Sequence, residues 1–146
     1  MSRAPYQVLV MPFRRSAGSW EFAALRRADD GSWQGVAGGG EGGEIPAEAA
    51  LREVKEELGL AGLPQIVRLD SMASVPVACF AARHEWDPGL YVIPEHCFAV
   101  DCTDLPVTLS PGHSAITWAP FETVSALLRW DSNRTALWEL RERLAR

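Results

Sequence analysis

The feature that most constrains the fold of this chain is a glycine-rich segment that leads directly into its best-defined helix. Five of the six residues from 38 to 43 are glycine, which leaves the backbone there almost bare of side chains. Residues 46–58 then follow a helical pattern with one apolar face, formed by Ala47, Leu51, Val54 and Leu58. Pro46 suits a first helical position and Gly59 suits a helix end, so the pattern predicts a helix over 46–58.

Apolar runs on both sides of this helix predict strands and further helices. Residues 7–13 and 20–26 are typical of two strands that pair as a hairpin. Residues 33–37 are typical of a short strand that leads into the glycine-rich segment. Further strands are expected within 63–77, 95–100 and 115–118, and further helices over 121–129 and 132–146. The second of these helices has candidate N-terminal caps in residues 131–133. By themselves, the residues predict only a mixture of strands and helices.

Composition and charge narrow the class of protein. The chain has 146 residues, 47% of them hydrophobic and 23% charged, which predicts a single globular domain over 1–146. Its longest apolar stretch, 72–82, is far shorter than the roughly 20 residues of a membrane span, and the first residues lack an export signal. A net charge of −5 would repel a long polyanion. Neither a membrane nor a nucleic acid polymer is therefore expected as a partner, and three cysteines without metal-type spacing favour a reducing cytoplasm.

Three acids on the predicted helix form a crowded negative patch. Glu53, Glu56 and Glu57 lie at offsets of zero, three and four residues, so they share an arc of about 100° on one helix face. Like charges at this spacing destabilise a helix by a few tenths of a kcal/mol per pair. Taken alone, the spacing is typical of a solvated acidic face. The residues upstream favour instead a site for a cation.

Those residues form a spaced motif. Gly38 is followed after five residues by Glu44, and after seven more by Arg52-Glu-Val-Lys-Glu-Glu-Leu-Gly-Leu60. This order resembles the signature of the Nudix hydrolases at every fixed position, and a chance match is on the order of 10⁻⁷ in a chain of this length. The resemblance implies an α/β/α sandwich with a mixed sheet, and an enzyme that hydrolyses phosphoric anhydrides.

The resemblance also assigns roles to the residues of the motif. It implies that magnesium or manganese is held by Glu53, Glu56 and Glu57. The bare backbone beside them lets the Gly38 carbonyl add one more oxygen ligand. It places Glu53, Arg52 and Glu44 in the catalytic group, with Glu53 helping to deprotonate the attacking water. A carboxylate on the glycine segment and an arginine fork can pair, which would pin that segment to the helix and orient Glu53.

A weaker resemblance outside the motif concerns the substrate. Residues 33–36, 83–95 and 130–134 are similar to a bacterial branch of the family that hydrolyses dATP and dihydroneopterin triphosphate. It implies a small nucleotide or pterin triphosphate as substrate, cleaved to the monophosphate and pyrophosphate, and it allows a homodimer. The residues expected to contact substrate are Gly39, Gly40, Trp33, Glu95, Asn133 and Arg134.

One departure from that branch leaves alternatives open. Relatives usually carry a glutamate where this chain has Gly112, and its role could pass to Glu95, to His113 or to the motif itself. Pro76 resembles a mark of ADP-ribose hydrolases, so a nucleoside diphosphate linked to another group is an alternative substrate. A nucleotide sensor that binds without cleaving is a third hypothesis, although the motif keeps all its acids.

Overall fold

A mixed sheet of seven strands forms the centre of the computed structural model, which describes residues 2–146. Three α-helices pack on this sheet, and two short 3₁₀ turns, Val77–Cys79 and Ala81–Glu85, lie in the connection between its fifth and sixth strands. In chain order the elements are β1 (Arg3–Ser16), β2 (Ser19–Arg27), β3 (Trp33–Gln34), β4 (Val36–Glu41), α1 (Pro46–Leu58), β5 (Ile66–Pro76), β6 (Val92–Asp101), β7 (His113–Ala119), α2 (Phe121–Leu127) and α3 (Asp131–Leu144).

Strand β1 organises the sheet. It pairs in parallel with β6 on one side, and antiparallel with β4 and β2 on the other. Strand β5 extends the sheet beyond β6, while β3 and β7 both pair with β2. The predicted hairpin of the first two strands is confirmed. The register aligns Gly39, Gln7 and Glu95 in one row across three neighbouring strands.

The two faces of the sheet carry separate hydrophobic layers. Val8 and Val10 of β1 point to the face covered by α1, whereas the alternate residues Leu9 and Met11 point to the face covered by α2 and α3. Each layer is filled by apolar side chains of its helices, such as Val54 on α1 and Leu137 on α3. The structure is therefore an α/β/α sandwich with a mixed sheet, which confirms the predicted fold class.

The glycine-rich segment differs from its prediction. The expected strand ended at Ala37, but β4 continues to Glu41 and includes Gly38–Gly40, and Gly35 interrupts the strand further upstream. Backbone pairing with β1, in the register Val8 to Gly38 and Gln7 to Gly39, outweighs the low strand propensity of glycine. Only the last glycines of the segment belong to the turn before α1.

Helix ends were predicted with mixed success. The prediction for α1 is confirmed at both ends, with Pro46 in the first turn and Gly59 in a left-handed conformation at φ 63°. The predicted caps of α3 are wrong, because Trp130 occupies the N-cap position and makes no side-chain cap. Asn133 instead accepts a hydrogen bond from the Gly35 N–H at 2.8 Å, which joins α3 to the sheet.

Two further sequence features have a structural counterpart. Within residues 2–146, none of the helices is both long and apolar enough to cross a membrane. All three cysteines carry free thiols, with Cys79 exposed and Cys97 and Cys102 buried.

Candidate active site

Helix α1 presents its three acids together beside strand β4. Val54 and Leu58 are fully buried against the sheet, and this orients the rest of the helix. Carboxylate oxygens of Glu53, Glu56 and Glu57 lie within 4.8 Å of one another. Glu53 is only 9% exposed, while Glu56 is exposed, so the cluster runs from the protein interior to the surface.

Arg52 links this cluster to strand β4. Its Nε and Nη2 donate to the two carboxylate oxygens of Glu44, each at 2.9 Å, and Nη2 also donates to the Gly39 carbonyl at 2.7 Å. Its Nη1 donates to Glu53 Oε1 at 3.1 Å and to Glu56 Oε2 at 3.4 Å. The hydrogen bonds to Glu44 raise the pKa of Arg52 and lower the pKa of Glu44. The predicted pairing of Arg52 with Glu44 is therefore present.

The charge of the cluster is incompletely balanced. Burial, opposed by Arg52 and reinforced by the charges of Glu56 and Glu57, raises the pKa of Glu53 to about 7. A bound cation would offset both the cost of burying the charged Glu53 and its repulsion by Glu56 and Glu57. All the candidate ligand atoms are oxygens, which hard divalent cations such as Mg²⁺ prefer. The residues present therefore fit a divalent metal.

Three glycines of β4 make room for neighbouring side chains. A Cβ atom at Gly38 would overlap the Glu53 carboxylate, one at Gly39 would overlap the Arg3 guanidinium, and one at Gly40 would overlap the Tyr6 ring. Close approach, rather than an unusual backbone angle, is what these positions require. Gly38 in particular lets Glu53 lie directly against the strand.

The segment before β7 approaches the cluster from another side. The Ser110 hydroxyl donates to Glu57 Oε2 at 2.5 Å, and His113 Nδ1 lies 2.9 Å from the same oxygen. A Cβ atom at Gly112 would lie 3.8 Å from Glu57 Oε2, in ordinary contact distance. The position of the absent glutamate is thus beside the acids, and Ser110 and His113 occupy the space around Glu57.

A cavity of about 490 Å³ lies on the opposite face of the sheet, near the start of α3. Glu95 and Asn133 line it, together with Gln7 and Gln34. Both sites border the same strand, because Ala37 lines the cavity and the next residue, Gly38, faces Glu53. One strand therefore separates the cavity from the acidic cluster.

The predicted substrate residues divide between several places. Glu95 and Asn133 line the cavity, whereas Gly39 and Gly40 lie in β4 against the side chains of Arg3 and Tyr6. The Trp33 side chain packs against the hydrophobic layer under α3. Arg134 donates to the Leu128 carbonyl and pairs with Asp131, and its side chain lines a separate surface depression.

Two residues near the site were missed by the sequence reasoning. Arg3 lies over Gly39, donates from Nη2 to Gln7 Oε1 at 2.6 Å, and its guanidinium carbon is 5.1 Å from the centre of the Phe80 ring. Ser110 contacts Glu57 across 53 residues of sequence. In the sequence, Ser110 is distinguished only by its nearness to Gly112, where relatives usually carry a glutamate. Nothing in the local pattern distinguishes Arg3.

Fold and site together define the class of protein. The family model described as the NUDIX domain matches residues 5–138. The chain therefore belongs to the Nudix family and is a hydrolase of phosphoric anhydrides.

Individual relatives are similar over most of their length. Dihydroneopterin triphosphate diphosphatase of Escherichia coli K12 is 32% identical over 114 residues, which cover 77% of this chain and 76% of that protein. RNA pyrophosphohydrolase of Acidiphilium cryptum is 30% identical over 134 residues, covering 80% and 81%.

Among solved structures, a Nudix hydrolase of Listeria monocytogenes superposes with a TM-score of 0.87 at 45% identity, covering 97% of this chain and 95% of that chain.

Proposed function

We propose that this chain is a divalent-metal-dependent pyrophosphohydrolase that cleaves a nucleoside or dihydroneopterin triphosphate to the monophosphate and pyrophosphate. The observation that carries the proposal is the convergence of Glu53, Glu56 and Glu57 beside the bare backbone of Gly38. A phosphate chain is strongly negative, and a negative cluster can hold it only through cations. The cavity on the other side of β4 supports a substrate with a ring.

The proposed metal ligands are Gly38, Glu53, Glu56 and Glu57, with Gly38 contributing its carbonyl oxygen. Magnesium or manganese bound there would lower the pKa of a bound water and neutralise charge on the phosphates.

The remaining roles belong to the side chains themselves. Glu53 is proposed to accept the proton of the attacking water at a carboxylate oxygen, which its buried position against Gly38 supports. Arg52 and Glu44 are proposed as positioning residues, because their paired hydrogen bonds tie Glu53 to β4. Ser110 is proposed to hold Glu57 in place through its hydrogen bond, and the His113 ring lies beside the same carboxylate.

Relatives and charge support a small substrate. The E. coli relative acts on dihydroneopterin triphosphate, according to its name, whereas the A. cryptum relative acts on RNA. The net charge of −5 would repel an RNA chain more strongly than a single triphosphate. We therefore favour the small molecule and include a triphosphate-ended RNA as a competing substrate in the test.

The test is a substrate panel with pyrophosphate detection in Mg²⁺ and in Mn²⁺. We expect the wild-type protein to release pyrophosphate from at least one nucleoside or pterin triphosphate. Glu57→Gln removes one proposed ligand charge, so we expect kcat/KM to fall by about 100-fold or more. Glu122→Gln, at an exposed position on α2, is the matched control and should keep full activity. Turnover of the triphosphate-ended RNA alone, or no turnover of any nucleoside or pterin triphosphate, would overturn the proposal.

Product identity separates the alternative substrates. Pro76 ends β5 and lines the cavity. The proline that resembles one in ADP-ribose hydrolases therefore lies where a ligand could contact it. Release of a ribose phosphate from ADP-ribose, without pyrophosphate from triphosphates, would favour that alternative. Tight nucleotide binding without any product would favour a sensor.

A further inference from the structure

The cavity on the α3 face contains a buried acid that the proposed reaction does not use. Glu95 is only 6% exposed and lines this cavity. Its Oε1 is buried and accepts no hydrogen bond from the described residues, 2–146. Burial raises the pKa of Glu95, and the Ser132 hydroxyl partly opposes this effect. A buried carboxylate oxygen without a donor is destabilising, and a ligand N–H at this point would relieve that cost.

Asn133 adds a hydrogen-bond donor to the same cavity. It is 2% exposed, and its Oδ1 already accepts a hydrogen bond from the Gly35 N–H at 2.8 Å. Its Nδ2 makes one contact of 3.3 Å, to Ser132 Oγ, and this is long for a hydrogen bond. The cavity therefore offers an acceptor in Glu95 and a donor in Asn133.

We propose that Glu95 selects a ring edge with two adjacent N–H donors beside a carbonyl, the edge that guanine and pterin rings share. A carboxylate accepts two parallel hydrogen bonds from such neighbouring donors. Asn133 Nδ2 would donate to the carbonyl next to them. Adenine presents an unprotonated ring nitrogen at this edge, whose lone pair would face the Glu95 oxygens. The selection of guanine or pterin over adenine rests on the proposed function.

The position of Glu95 agrees with this role. In the sheet, Glu95 is aligned with Gln7, which is aligned with Gly39 of β4. Neighbouring residues of a strand point to opposite faces, so Ala37 lines the cavity while Gly38 faces the acids. A ring held at Glu95 would thus have its phosphate chain directed across β4 towards α1.

The first experiment compares dGTP, dITP and dATP, because dITP differs from dGTP only by the absent exocyclic amino group. We expect wild-type kcat/KM for dGTP to exceed that for dITP by about 10-fold and that for dATP by about 100-fold. Glu95→Gln should raise KM for dGTP by about 10- to 100-fold with kcat nearly unchanged, and should affect dITP less. Glu122→Gln again serves as the control. Dihydroneopterin triphosphate against dGTP then identifies which ring of this class is preferred.

Equal turnover of dATP and dGTP by the wild-type protein would overturn the selection, as would an equal loss on all three substrates in Glu95→Gln. A binding experiment separates this inference from the proposed function. Calorimetric titration with GMP, IMP and AMP requires no hydrolysis and should rank GMP first, with the rank lost in Glu95→Gln. If no triphosphate is cleaved but this rank holds, the proposed reaction fails while the ring selection stands.

Discussion

Consecutive glycines in β4 each face a different neighbour, and their roles are steric. Gly38 admits the Glu53 carboxylate, and Gly39 admits the Arg3 guanidinium. Because neighbouring residues of a strand alternate between faces, the two glycines serve opposite sides of the sheet. Each position is therefore sensitive to a single added methyl group, with different consequences.

Gly38→Ala places a methyl group where the Glu53 carboxylate lies. The carboxylate is the end of a flexible side chain and will move, so we expect kcat/KM to fall by about 10- to 100-fold. The free energy of unfolding should change by about 1 kcal/mol or less, since no backbone must shift. Steady-state kinetics and urea unfolding measure the two effects. Gly43→Ala is the control, because nothing lies within 4 Å of a Cβ atom at Gly43. Full activity in Gly38→Ala would contradict the position of Glu53.

At the scale of elements, helix α3 is held to the edge of the sheet by a charged contact. Glu139 accepts hydrogen bonds from the backbone N–H groups of Asp70 and Ser71, each at 2.7 Å, and from the Arg143 side chain at 2.8 Å. Burial acts to raise the pKa of Glu139, but the hydrogen bonds from Ser71, Asp70 and Arg143 outweigh it and lower the pKa to about 2. The charged form of Glu139 is therefore part of the packing between α3 and β5.

This contact predicts a pH-dependent contribution to stability. The folded-state pKa of Glu139 lies below its ordinary value of 4.5, so its stabilisation is present above pH 4.5 and is lost as the pH falls towards 2. We expect Glu139→Gln to lower the free energy of unfolding by about 1–3 kcal/mol at pH 7. The difference from wild type should shrink at acid pH. Urea unfolding across the pH range measures this, with Glu142→Gln as control, and a constant difference would contradict the assignment.

For the whole molecule, the candidate metal site exists only when the sheet and its helices are assembled. The acids lie on α1, their supporting residues lie on β4 and before β7, and the arginine between them binds the Gly39 carbonyl. A ligand that binds only this folded arrangement stabilises it by mass action. Cytoplasmic location and a homodimer stay predictions at this scale.

Manganese should therefore raise the thermal midpoint of the protein. At about 100 times the dissociation constant, binding adds about 2.7 kcal/mol, which corresponds to a rise of about 5–10 °C for a chain of this size. Calorimetry with and without a chelator measures the shift. Glu57→Gln should show a smaller rise, and Glu122→Gln the full one. An unchanged midpoint in the wild-type protein would place metal binding elsewhere.

Local pattern was enough to predict α1 and the grouping of its acids, because a helix repeats every 3.6 residues and so brings Glu53, Glu56 and Glu57 together whatever surrounds them. The hairpin and the fold class followed from strand pattern and from the motif. The extent of β4 could not be predicted, since its glycines are held in a strand only by pairing with β1. Three features of the site join residues far apart in sequence: Ser110 lies beside Glu57, Arg3 lies over Gly39, and Glu95 shares a cavity with Asn133. Such contacts depend on how the elements pack in space, which no periodicity along the chain encodes.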